Sequence, residues 1–199
     1  MKPFPLPTKI AGSIFGGLKY VTLSPCNGGW LNIFFTVVAF RRQPIFCDEM
    51  FRNALRTAIA SVQTAHPFVI EAWVLLPDHL HCVWTLPEGD ADFSTRWMLI
   101  KRAVSLACRD DYRRADWVTV SKLKHRESTL WQRRFWEHQI RDEKDFVHHV
   151  DYIHFNPVKH GHVTRAVDWP YSTFHRYVRD GIYAYDWGGA MDKVVLKYD

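Results

Sequence analysis

Residues 68–86 hold two apolar runs, "FVIEAWVLL" and "HLHCVWTL", separated only by Pro77-Asp78. Runs of this length, rich in Val, Ile, Phe and Trp, form strands, and a two-residue Pro-Asp joint leaves no room for a crossover. The two must lie side by side as an antiparallel hairpin. "WLNIFFTVVAFRR" (30–42) reads as a further central strand, and "RFWEHQIR" (134–141) alternates as a strand should. A helix is predicted over 48–66, capped by Asp48, with Met50 or Phe51, Leu55, Ile59 and Val62 at helical spacing. A second is predicted over 94–111, capped by Ser94, with Trp97, Ile100, Val104 and Ala107 on one face. Residues 112–130 read as a loop, and a third helix opens at Asp142 with "DEKDFVHHVDYIHFNPVKHG". This order predicts an α+β fold, a mostly antiparallel sheet with helices on one side, as in ferredoxin-like or RRM-like sandwiches.

At 199 residues and 47% hydrophobic content the chain can bury one core. Its four cysteines are scattered without CxxC spacing, which suggests neither a zinc ribbon nor a disulfide framework and suits reduced thiols in the cytoplasm. The sequence shows no signal-peptide pattern and no apolar stretch long enough to span a membrane. Net charge is +5, and residues 1–47 carry five basic side chains and no acidic one. With 9 Trp, 13 Phe and 8 Tyr, that balance suits a polyanion such as nucleic acid, although an ordinary basic soluble protein has the same charge. Residues 1–27, rich in Pro and Gly, read as an N-terminal extension, 28–178 as the folded domain and 179–199 as a C-terminal tail.

On a strand His79 and His81 share one face, with Leu80 and Cys82 on the other. With 11 histidines in the chain, chance alone produces roughly 0.6 His-x-His pairs, and His160-Gly161-His162 is a second. The pair therefore reads either as hydrogen-bonded strand histidines or as two metal ligands. Along the third helix Phe146, Val150 and Ile153 form a core stripe, and Asp145, His149, Tyr152 and Asn156 form another. Pro157 is expected to pull Asn156 out of helical geometry, at a frayed end where its amide can reach outward. An exposed polar face explains this second stripe as well as chemistry does. The chemical alternative makes the Tyr152 phenol a nucleophile. With a pKa of about 10, a phenol needs an electrophile activated by a metal ion. His79, His81 and the Asn156 amide oxygen would then be three ligands with positions left for substrate.

"HLH" on a strand, followed by "DYIHFNPVKHG" on a helix, resembles the HUH single-tyrosine transposases. "AWVLLPDHLHCVWTLPEGD", "WQRRFWEHQIRDEKDFVHHVDYIHFNPVKHG" and "DWPYSTFHRYV" resemble the hallmark blocks of one branch, the REP-associated tyrosine transposases, and the likeness runs through residues 28–190. The resemblance implies an HUH motif on a central strand and a catalytic tyrosine, Tyr152, on a C-terminal helix. It implies metal ligation by His79 and His81, with Asn156 as third ligand where related insertion-sequence transposases usually carry Gln. It implies Mg²⁺ or Mn²⁺, whereas imidazole donors alone favour Mn²⁺ or Zn²⁺ over Mg²⁺. The implied activity is a single-strand DNA endonuclease and strand transferase, cleaving at REP-type palindromic hairpins through a 5′-phosphotyrosine.

Single-stranded DNA hairpins are the implied partner of a monomer or homodimer that requires no protein partner. Arg133, Arg134, Trp136 and Arg141 are candidates to touch the DNA, against a reading in which Phe135 and Trp136 pack in the core. Two other functions compete: a hairpin-binding protein without cleavage, and a metal-dependent nuclease with water as nucleophile.

Overall fold

The computed structural model describes residues 31–125 and 127–189. The expected extension over 1–27 lies outside them. Four strands, β1 (Leu31–Val38), β2 (Val69–Leu75), β3 (His79–Leu86) and β4 (Trp136–Gln139), form one sheet in the order β2-β3-β1-β4. Every pairing is antiparallel. The Pro77-Asp78 joint makes the expected hairpin, with Leu75 opposite Leu80 and the Leu76 N–H donating to His79 O at 2.8 Å.

Helices α1 (Glu49–Ala65) and α2 (Phe93–Ala107) pack on one face of the sheet, completing the ferredoxin-like order. Two short helices follow, α3 (Arg109–Tyr112) and α4 (Val120–Lys124), within the stretch expected to be a loop. Helix α5 (Glu143–Lys159) and the short α6 (Phe174–Arg179) cover the opposite face, so the expectation of helices on one side is corrected. The reason lies in β1 and β3, which are buried on both faces and leave neither face to water. Ile33, Phe35, Val37, Leu80, Cys82 and Trp84 bury against α1 and α2, and Phe34, Val74 and Val83 against α5.

Local expectations hold in part. Phe51 rather than Met50 is the buried partner in α1. Asp48 precedes α1 without a side-chain cap bond, and its carboxylate accepts from the Tyr112 hydroxyl instead. The α2 cap is Asp92, accepting from the Thr95 N–H, and Ser94 lies inside the first turn. The first strand stops at Val38, and Arg41 and Arg42 are left-handed at φ 55° and 52°. Residues 179–189 begin the stretch read as a tail, yet Ile182, Tyr183 and Trp187 pack on the core beneath α5. Among the described residues no helix is long and apolar enough to cross a membrane.

Candidate active site

Strand alternation places His79 and His81 on the α5 face, with ring centroids 4.9 Å apart. Helix α5 carries Tyr152 and Asn156 four residues apart, hence on one face, and His160 follows at its C-cap. The Tyr152 ring lies 5.2 Å from that of His81, and the His160 ring 5.4 Å from that of His79. Asn156 stands on the turn between these two contacts. Phe34, from β1, stacks on His81 at 5.5 Å and meets Tyr152 edge-on at 6.1 Å.

Each histidine of the pair is held by its Nδ1. His79 Nδ1 lies 2.6 Å from Asp78 Oδ1, and His81 Nδ1 2.9 Å from Thr36 Oγ1. With the proton on Nδ1 both bonds are donated by the ring, and each Nε2 keeps its lone pair. Burial keeps both rings neutral. It pushes His79 below its ordinary value despite Asp78 beside it, and pushes His81 well below. Burial also pushes the Asp78 carboxyl up, but the hydrogen bonds from His79 and Arg42 outweigh it and leave the group ionised below its usual value. Arg42 reaches Asp78 Oδ2 at 2.9 Å from its left-handed backbone position.

Asn156 is completely buried, and neither Oδ1 nor Nδ2 has a hydrogen-bond partner among the described residues. The same holds for His81 Nε2. Leaving a buried polar group unmatched costs about 1–3 kcal/mol, so these atoms are available to a ligand. The frayed end expected at Asn156 is corrected. The helix runs through Pro157 to Lys159, and the His160 N–H donates to Asn156 O at 3.0 Å. Pro157 deletes the N–H that would reach Ile153 O, and packing holds the turn together regardless. Two lone pairs on neutral imidazoles and an unmatched amide oxygen fit a divalent ion as a donor set.

The four candidate DNA contacts scatter. Trp136 is 55% exposed and meets Phe34 edge-on at 5.6 Å, on the same face as Tyr152. Phe135 turns the other way, into the core against Phe35 and Trp97. Arg141 reaches Asp145 Oδ2 at 3.3 Å, and Arg133 pairs with Glu127. Arg134 is exposed on the approach to β4. Arg133 lines a groove on the α2 side of the sheet with Lys101, Arg102, Arg109, Arg113 and Lys122, against Glu127 as its acidic residue.

Sequence reasoning missed Thr36, Arg42, Lys159 and His160. Lys159 places Nζ 4.9 Å from the Tyr152 ring centroid. Spacing from Tyr152 could have found His160, whereas Thr36 becomes a neighbour of the pair through sheet register and Arg42 through the turn that follows β1.

No protein-family model matches the chain. It is 49% identical over 163 residues to a REP-associated tyrosine transposase of Escherichia coli strain K12, covering 82% of this chain and 86% of that one. A Haemophilus influenzae protein, assigned provisionally to the same family, is 42% identical over 163 residues, covering 80% and 88%. A solved REP-associated tyrosine transposase bound to a REP hairpin matches with a TM-score of 0.67 and 48% identity, over 80% of this chain and 86% of that one. At this identity and coverage, the chain belongs to the REP-associated tyrosine transposases.

Proposed function

We propose that this chain cleaves and rejoins single-stranded DNA at REP-type hairpins in the cytoplasm, with Tyr152 as nucleophile. The observation that carries the reading is the meeting of His79, His81, Tyr152 and the unmatched Asn156 amide on one face of the sheet. His79 Nε2, His81 Nε2 and Asn156 Oδ1 would hold a divalent ion, Mn²⁺ or Mg²⁺. Such an ion, when bound, withdraws charge from a phosphate oxygen and makes phosphorus more electrophilic.

The Tyr152 oxygen attacks phosphorus and loses its proton, the P–O3′ bond breaks, and the departing 3′ oxygen takes up a proton. The products are a 5′-phosphotyrosine and a 3′-hydroxyl. Attack by a 3′-hydroxyl reverses the step and joins strands, so no nucleotide cofactor is consumed. Lys159, over the Tyr152 ring, favours negative charge developing on the phenol. Asp78 and Thr36 keep the two imidazoles in the tautomer that can ligate.

DNA contact divides between the two faces. The basic groove on the α2 side suits the phosphate backbone, and Trp136, exposed beside the site, suits stacking with an unpaired base. The test is incubation with a labelled single-stranded hairpin and Mn²⁺, followed by a denaturing gel. A protein–DNA adduct that Tyr152→Phe abolishes is the expected result. Cleavage without an adduct, undiminished in Tyr152→Phe, would instead assign the nucleophile to water.

A further inference from the structure

A second group of ligating side chains lies past Phe34, whose ring touches both His81, at 5.5 Å, and His149, at 4.7 Å. His138 on β4, with Asp145 and His149 one turn apart on α5, each present a ligand atom, all within 4.8 Å of one another. His138 Nε2 is 2.9 Å from Asp145 Oδ2, and His149 Nδ1 is 3.1 Å from Asp145 Oδ1. The two rings stack at 4.8 Å, so two imidazole nitrogens aim at the two oxygens of one carboxylate. None of the three belongs to the His79–His81–Asn156 set.

This group can be a plain hydrogen-bond network, with protons doing the bridging. Three features favour an ion. Two imidazoles and one carboxylate are a donor set for borderline divalent metals, with positions left for water. The side chains are 28%, 12% and 18% exposed, so the group is sheltered yet open on one side. Asp145 Oδ2 is also held by the Arg141 N–H at 3.1 Å and the Arg141 guanidinium at 3.3 Å, outer hydrogen bonds of the kind that orient a ligating carboxylate. The His149 Nδ1, now shared with the Asp145 backbone carbonyl at 2.7 Å, would ligate in the tautomer that carries the ring proton on Nε2.

We propose that His138, Asp145 and His149 bind a second divalent transition ion, of the zinc or manganese class, which clamps β4 onto the first turns of α5. Strand β4 is four residues long, sits at the sheet edge and carries the exposed Trp136. A metal bridge from His138 to α5 would fix that edge, and Trp136 with it, relative to Tyr152.

The experiment uses the full chain carrying His79→Ala and His81→Ala, which lacks the pair assigned to catalysis, and no DNA. Its outcome is therefore independent of the cleavage reading. Equilibrium dialysis against Zn²⁺, with Co²⁺ absorption as a spectroscopic check, should show one ion bound per chain. Adding His138→Ala or His149→Ala should weaken that binding at least about tenfold. If either alanine variant unfolds by circular dichroism, Asp145→Asn keeps the side chain's shape and should weaken binding likewise. A double variant that takes up no ion, or uptake unchanged by Asp145→Asn and the alanine substitutions, overturns the proposal.

Discussion

Asp78 and His79, neighbours in the chain, are hydrogen-bonded to each other through their side chains, Oδ1 to Nδ1 at 2.6 Å. The turn that reverses the hairpin thus also aims the first histidine of the pair. Residues 39–46 wrap this turn, with the Ala39 and Phe46 N–H groups donating to Asp78 O and Pro77 O at 2.8 Å each. The left-handed Arg41 and Arg42, each costing about 1–2 kcal/mol of backbone strain, bring the Arg42 guanidinium to the same carboxylate.

Asp78→Ala should therefore raise the Mn²⁺ concentration needed for half-maximal cleavage by about 10–100-fold, the usual cost of losing a partner behind a metal-ligating histidine. Arg42→Ala, at an exposed side chain, should produce a smaller shift in the same direction. Cleavage titrated against Mn²⁺ measures both. An unmoved titration in Asp78→Ala removes it from the orientation of His79.

Asn156 can be separated from a structural role because its amide has no hydrogen-bond partner among the described residues. Asn156→Leu, close in volume, should leave the melting temperature in EDTA unchanged or higher, since it relieves an unmatched group worth about 1–3 kcal/mol. The same variant should need far more Mn²⁺ for activity, while Asn156→Asp should still bind metal. A lower melting temperature with an unmoved metal titration would assign Asn156 to the fold instead.

Burial pushes the Lys101 ammonium down to about 8, and this lysine lines the basic groove. It is charged at pH 7 and mostly neutral by pH 9, so hairpin affinity should fall across that interval as one charge of the groove is lost. Lys101→Arg stays charged and should flatten the profile. Fluorescence anisotropy with a labelled hairpin at fixed ionic strength reads the effect. Equal slopes for wild type and Lys101→Arg would place the DNA elsewhere.

Arg96 is a buried charge on α2 with all five donors used, reaching both oxygens of Asp90 and the carbonyls of His66, Pro67 and Asp92. Arg96→Met should leave Asp90 and three carbonyls short of partners and lower stability by about 3 kcal/mol in urea denaturation. Cleavage well below the transition should persist, because the site lies on the other face of the sheet. A loss within about 0.5 kcal/mol would show that water replaces the guanidinium without penalty.

Period and local chemistry, both legible in the sequence, determined the Pro77-Asp78 hairpin, the shared face of His79 and His81, and the stripe carrying Tyr152 and Asn156. Alternation along a strand and the 3.6-residue turn of a helix act within a few residues, so one segment suffices to read them. Tertiary packing decided that α5 covers the second face of the sheet, because a strand buried on both sides reads the same wherever its second cover comes from. It decided that Asn156 is buried rather than frayed, since the packing around Pro157 outweighs the proline's local preference. It separated Phe135, which enters the core, from its neighbour Trp136, which stays exposed beside the site. Register alone set Thr36 opposite His81, and chain folding alone brought Arg42 to Asp78. These are contacts between residues distant in sequence, and no local pattern encodes a partner whose position depends on how the whole sheet is assembled.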